Sequence, residues 1–238
     1  MKITTVLFDL DGTLLPMDQN VFVKAYFGGI AKKLAPHGYE PKALIDTIWA
    51  GTAAMVKNDG RDNNETVFWK TFAGVFGTER AKRDYPLFEE FYRECFDEVS
   101  KSCGYTPEAR RIIDLLAQNG IRRVLATNPI FPSIATEKRM AWAGLSPKDF
   151  EFFTTYENSR HCKPNPDYYR DILRQIGCRP EECLMVGNDV GEDMIAEKLG
   201  MQVFLLTDCL INKNGEALEA YPHGGFEELA EYLTTNVL

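Results

Sequence analysis

The chain has 238 residues, 45% apolar and 26% charged, with 27 basic and 35 acidic side chains and a net charge of −8. That composition excludes a collagen-like or disordered chain, and the acidic balance argues against a nucleic-acid partner, whose phosphates demand clustered Lys and Arg. With no run near the ~20 apolar residues of a bilayer-spanning helix, no signal peptide, and six cysteines lacking a Cys-x-x-Cys pair, the expectation is a cytoplasmic chain with free thiols and no membrane partner.

In chain order, Ile3–Phe8 reads as a short buried strand, broken by Asp9-Leu10-Asp11-Gly12-Thr13. From about Asp18 to Lys101 the pattern is helical. Val23, Phe27, Ile30 and Leu34 share one face, as do Phe88, Phe91, Tyr92, Cys95, Phe96 and Val99, and two further helices fall near Ala43–Met55 and Glu65–Phe76. Four helices with short links suggest an up-and-down bundle. After Gly104 the rhythm changes. Thr106 caps a helix that Pro107 opens and Gly120 ends; Arg123–Ala126 is a strand; Ser133–Trp142 is a helix. Phe152-Phe153 is a weak strand, Pro166–Ile176 a helix stopped by Gly177, Cys183–Val186 a strand, Asp193–Leu199 a helix, Val203–Leu206 a strand and Phe226–Leu233 a last helix. Alternation of this kind predicts an α/β fold, a Rossmann-like parallel sheet with helices on both faces, interrupted by an inserted α-helical bundle. The core is expected at residues 1–15 and 103–238, and the insert at 16–102.

Strand ends carry unusual residues: Asp9 and Asp11, then Thr127-Asn128, then Lys163-Pro164 in a loop, then Gly187-Asn188-Asp189 and Asp193. In an open parallel sheet these ends share one rim, where ligands bind. Asp9, Asp11, Asp189 and Asp193 crowded there would repel, and one lysine cannot balance four carboxylates. A hard divalent cation, Mg²⁺, resolves the conflict. The three histidines lack metal-ligand spacing, so zinc is not expected. A metal, an ammonium and hydroxyl or N–H donors beside an aspartate suit phosphoryl chemistry.

These strings, in this order after hydrophobic strands, resemble the four motifs of the haloacid dehalogenase (HAD) superfamily, and the helical insert resembles its type 1 cap, as in phosphoglycolate phosphatase-like members. The resemblance implies that Asp9 is a nucleophile forming an aspartyl-phosphate and that Asp11 is the general acid/base. It implies that Thr127, Asn128 and Lys163 bind the phosphoryl group. Asp189 would ligate Mg²⁺ with an Asp9 oxygen and the Asp11 main-chain carbonyl, while Asp193 supports the site from behind. The implied activity is hydrolysis of a small phosphorylated metabolite under a cap that hinges near Leu15–Asp18 and Ser100–Gly104. A phosphomutase or phosphotransferase using the same intermediate is the alternative, and a non-catalytic phosphate-binding module a weaker one. Asp11 disfavours a dehalogenase, which in this family lacks the acid/base at that position. Lys57 and Arg61, between two cap helices, could reach an anionic substrate, although a solvated loop is the simpler reading. His161, two residues before Lys163, is an isolated histidine and a weak candidate for substrate contact.

Overall fold

The strand Thr-Val-Leu-Phe at residues 5–8 is buried along its whole length, which marks a strand covered on both faces rather than one facing water. In the computed structural model, which describes residues 2–238, this strand, β1 (Thr5–Phe8), is the inner member of a six-stranded parallel sheet. The others are β2 (Arg122–Leu125), β3 (Phe152–Phe153), β4 (Cys183–Gly187), β5 (Gln202–Leu206) and β6 (His223–Gly224), in the order β3-β2-β1-β4-β5-β6. Register follows the period of two. Val6 and Phe8 point into one core, shared with the inward faces of α5 (Pro107–Gln118) and α8 (Phe226–Asn236). Leu7 points into a second core against α7 (Pro166–Ile176). The fold is therefore an α/β sheet with helices on both faces. Strand order reverses between β1 and β4, and the crevice above that switch point is the place where such sheets bind ligands.

Local signals set the helix ends. Thr106 accepts the Glu108 N–H at 3.3 Å with Pro107 at the first helical position, and Asn165 does the same for Asp167 before α7 at 2.9 Å. Gly177 closes α7 in the left-handed conformation, at φ 63°. The expected strands and helices of the sheet region appear within three residues of their predicted limits, with two differences. Strand β6, only two residues long, was not anticipated. The segment expected as a helix over Asp193–Leu199 is a 3₁₀ helix, Met194–Leu199, and the Asp193 carboxylate that could cap it is turned toward Lys163.

Between β1 and α5 lie four helices, α1 (Gln19–Leu34), α2 (Pro41–Val56), α3 (Asn64–Phe76) and α4 (Thr78–Glu90), which form the helical cap. The last departs from expectation. It begins at Thr78, ten residues before Phe88, and ends in a π turn (Phe91–Cys95) and a 3₁₀ stretch (Phe96–Ser102). Its buried stripe is Ala81, Asp84 and Phe88, so a carboxylate occupies the middle inward position and hides the apolar period. Asp84 is satisfied there by the Tyr39 hydroxyl at 2.9 Å and by Arg80 and Arg83.

The chain crosses between sheet and cap twice. The two crossings pair with each other through a Met17–Cys103 antiparallel bridge and a Gly104 N–H bond to the Pro16 carbonyl at 2.7 Å. A separate attachment lies at the start of α3. The Asn64 N–H bonds to the Ser159 carbonyl and the Glu65 N–H to the Tyr156 carbonyl, both at 2.9 Å. The fully buried Asn64 amide donates to the Pro129 carbonyl at 3.1 Å, and the Asn63 amide donates to the Glu157 carbonyl at 2.9 Å. Apolar packing also runs across the boundary, with the Phe131 ring 6.1 Å from Phe22 and 5.3 Å from Tyr26. No helix among the described residues is long and apolar enough to cross a membrane. All six cysteines are free.

Candidate active site

At the end of β1 the Asp9 N–H still pairs with the Val186 carbonyl, at 2.9 Å. The chain then folds into a tight turn. Leu15 N–H bonds back to the Leu10 carbonyl and Gly12 N–H to the Leu15 carbonyl, both at 2.8 Å. Gly12 has φ 86°, and a Cβ there would collide with the Asn188 side-chain amide, so only glycine fits. The turn places both Asp9 and Asp11 on the wall of one cavity of about 320 Å³. Thr127, Asn128, Asp189 and Asp193 line the same cavity, from chain segments more than a hundred residues away. The expected convergence on one rim is thus what the structure has.

Lys163 is the exception among the residues read from the sequence. It sits beneath the cavity floor, 1% exposed, with Nζ 2.8 Å from Asp9 Oδ1 and 2.6 Å from Asp193 Oδ1. Burial alone would discharge it, but the two carboxylates outweigh burial and hold the ammonium charged well above the usual lysine range. Asp193 also accepts the Asp189 N–H at 3.0 Å, and a Cβ on Gly187 would run into its carboxylate. Asp193 therefore joins the Lys163 loop to the β4 loop. Thr127 is buried, and its carbonyl accepts from the hydroxyls of Thr154 at 2.6 Å and Tyr168 at 2.8 Å. The Asn128 amide donates to Glu192 at 3.0 Å, while its carbonyl oxygen is buried with no partner.

Three groups near the centre carry roles that the strand-end motifs do not reveal. Thr13 donates to Asn188 Oδ1 at 3.0 Å and lies 3.3 Å from Asp9 Oδ2; Asn188 in turn donates to the Cys209 carbonyl at 2.7 Å. Lys213 lines the cavity with Nζ 3.9 Å from Asp189 Oδ2. Arg139 on α6 (Ser133–Trp142) is fully buried and bonds through Nη1 to Asp11 Oδ2, with its guanidinium 4.5 Å from the Phe131 ring centre. Its signal in the sequence is a charge on the inward stripe of a helix, beside Ala135, Thr136 and Met140. A buried guanidinium requires a buried anion. Burial pushes the Asp11 carboxyl up to about 6; Arg139 opposes the rise and Asp9 adds to it. Breaking this pair from one side leaves Asp11 buried without its cation. Arg139→Met is therefore expected to cost about 3–5 kcal/mol, and Arg139→Met combined with Asp11→Leu less than the sum of the singles. Denaturant unfolding of the four proteins measures this, and additive losses would mean that the pair carries no coupling.

Lys57 and Arg61 do not line the cavity. Arg61 is exposed and pairs with Asp59 at 2.9 Å. Their loop is held instead by Asn58, whose amide donates to Asn64 at 2.8 Å, and by the packing of Gly60 on His161. His161 in turn bonds to Asp171 at 2.7 Å and lines a separate cavity, not the one walled by Asp9 and Asp11.

No three acidic, imidazole or thiol side chains among the described residues gather into a ready-made metal set. The donor chemistry nevertheless fits Mg²⁺, which typically takes one or two carboxylates and completes its octahedron with water and substrate phosphate. Asp189 Oδ1 is committed to the N–H groups of Gly191 at 2.8 Å and Glu192 at 3.0 Å, and Asp9 Oδ1 to Lys163. Asp9 Oδ2, with only the Thr13 hydroxyl at 3.3 Å, and Asp189 Oδ2, with Lys213 at 3.9 Å, are the less committed hard oxygens on one cavity.

A family model described as a haloacid dehalogenase-like hydrolase matches residues 3–198. The chain belongs to that family. It is a hydrolase with the family's α/β core and helical cap. Pyrophosphatase PpaX of Bacillus velezensis is 22% identical over 233 residues, covering 98% of this chain and 95% of that protein. Pyrophosphatase PpaX of Bacillus cereus is 23% identical over 223 residues, covering 93% of this chain and 90% of that protein. Among solved structures, a 2-haloacid dehalogenase from Pseudomonas syringae superposes with a TM-score of 0.69 at 19% identity, covering 98% of this chain and 99% of that one. A HAD phosphatase from Thermococcus onnurineus superposes with 0.60 at 19% identity over the full length of both chains. At these identities the structural likeness speaks for the fold.

Proposed function

We propose that this HAD-family hydrolase is a Mg²⁺-dependent phosphatase that cleaves a small phosphorylated metabolite through an aspartyl-phosphate on Asp9. The observation that carries the reading is the single cavity walled by Asp9, Asp11, Thr127, Asn128 and Asp189, with a buried lysine on the far side of Asp9. An Asp9 carboxylate oxygen attacks phosphorus and the ester P–O bond breaks. Asp11 gives its proton to the departing alkoxide, then takes one from the water that attacks the acyl phosphate, which regenerates Asp9 and frees phosphate. Lys163 offsets the repulsion between Asp9 and the anion, and Thr127 and Asn128 offer donors to the phosphoryl oxygens. Arg139 positions Asp11. Asp9, Asp189 and the Asp11 main-chain carbonyl would hold Mg²⁺, which supplies Lewis-acid stabilisation of the phosphoryl oxygens. The chain division behind this reading is a core of residues 1–15 and 103–238 and a cap of 16–102. The acid/base at Asp11 favours an alkoxide leaving group, which must be protonated, over a halide, which needs no proton.

Phosphate release from a panel of monoesters tests the proposal. Chelation with EDTA is expected to lower turnover to background and added Mg²⁺ to restore it; turnover indifferent to both would refute the metal dependence. Isomerisation of a sugar phosphate without phosphate release would instead indicate the mutase alternative.

A further inference from the structure

A second cavity of about 480 Å³ lies among the cap helices and the loop before α6, and it shares Phe22, Val23, Trp49, Ile130 and Phe131 with the aspartate-lined cavity. The two spaces adjoin along these five residues. Aromatic rings dominate the inner lining, with Tyr26, Phe27, Phe68, Phe88 and Tyr92 among them. Its polar atoms are largely spent. The Tyr26 and Tyr92 hydroxyls bond to each other at 2.8 Å, Tyr85 donates to Glu65 at 3.0 Å, and the Glu157 carboxylate accepts the Ser133 N–H at 2.9 and 3.1 Å. The indole N–H of Trp69 is buried with no acceptor. Charged residues on the lining are three acids, Glu89, Glu137 and Glu157, against the single base Arg93. The other nearby cations are off this lining: Lys213 is on the catalytic side, Arg139 is buried behind Phe131 and paired with Asp11, and Lys57 and Arg61 line neither cavity.

A chamber with this wall rejects a second phosphate or a carboxylate, since a polyanion would lose its hydration beside glutamates and gain little in return. It rewards an apolar body. We propose that the aromatic chamber receives an uncharged apolar or aromatic leaving group, so that the preferred substrate is a phosphate monoester of a hydrophobic alcohol rather than pyrophosphate or a phosphorylated acid. This rests on the phosphatase reading of the neighbouring cavity and narrows its substrate class. Trp49, 50% exposed and on the lining of both spaces, would then lie beside the leaving group.

The test compares kcat/KM for phenethyl phosphate, ethyl phosphate, phosphoglycolate and inorganic pyrophosphate; the first two differ little in leaving-group basicity. Phenethyl phosphate is expected to exceed ethyl phosphate and phosphoglycolate by roughly 100-fold, the order that an added apolar contact surface gives. Thr52→Trp, which fills the chamber from α2, is expected to cut the phenethyl-to-ethyl ratio at least about tenfold. Phosphoglycolate or pyrophosphate as the best substrate, or a ratio near one, overturns the inference while leaving the phosphatase reading intact. If no ester is hydrolysed, the phosphatase reading fails, and binding of phenethyl alcohol followed by tryptophan fluorescence then decides the chamber by itself. Saturable binding lost in Thr52→Trp supports an apolar ligand site, and no binding to the parent protein refutes it.

Discussion

Asp9→Asn is expected to abolish phosphate release, with kcat falling by about 10⁴-fold or more, the scale of losing a covalent nucleophile. The change is nearly isosteric, Lys163 keeps Asp193 as its counter-ion at 2.6 Å, and the N–H bond to Val186 can survive it, so the fold should remain. Circular dichroism and phosphate release measured side by side separate chemistry from unfolding. A folded Asp9→Asn protein within tenfold of the parent would remove the aspartyl-phosphate from the mechanism.

Lys163→Met is expected to do two kinds of damage. Without its ammonium, Asp9 and Asp193 are left as buried carboxylates that shared one cation, at 2.8 and 2.6 Å. Removing one partner from a buried ionic cluster costs about 3–5 kcal/mol, equivalent to roughly 6–20 °C in melting temperature for a chain of this size. Turnover should fall as well, because Asp9 then meets the substrate phosphate unshielded. Adding Asp193→Asn removes one stranded charge, so the double variant is expected to regain part of the thermal stability and none of the activity. Calorimetry and phosphate release on the pair provide the comparison. Recovery of both together would show that Lys163 acts only as a structural cation.

Much of this site was legible because parallel strands impose convergence. A run of apolar residues ending in Asp9, or in Asn188 and Asp189, tells where a strand stops, and a parallel sheet puts every such stop on one rim. The polar residues stand out against apolar neighbours, so periodicity and punctuation suffice. What stayed hidden depends on contacts between segments with no local signature. Asp84 masked the start of α4 because its partners, Tyr39 and Arg80, come from the α1–α2 link and from α4 itself. Arg139 reads as an ordinary helical residue until Asp11, 128 positions earlier, is placed against it. Asn188 looks like a member of a motif string, yet its side chain braces the Thr13 turn on one side and the Cys209 segment on the other. The aromatic chamber stays hidden for a related reason. Phe68, Trp69 and Phe72 at helical spacing imply a bundle core, which Phe72 does join, but the spacing does not distinguish a filled core from one that leaves a void beside Phe68 and Trp69.

The polar attachment at the start of α3 bears on how a reactant gets in. A cap tethered only by two chain crossings could swing as a door. Here the buried Asn64 and its neighbour Asn63 fasten the far end of the same cap to main-chain carbonyls of the loops beyond β2 and β3. Amide-to-carbonyl bonds of this kind are exchanged for water at little net expense once wetted, whereas apolar surface is not. Admission would then begin with hydration at Asn64 and travel toward Phe131, a zipper opening from its wet end. The pace of product escape would be written in two asparagines that never meet the reactant.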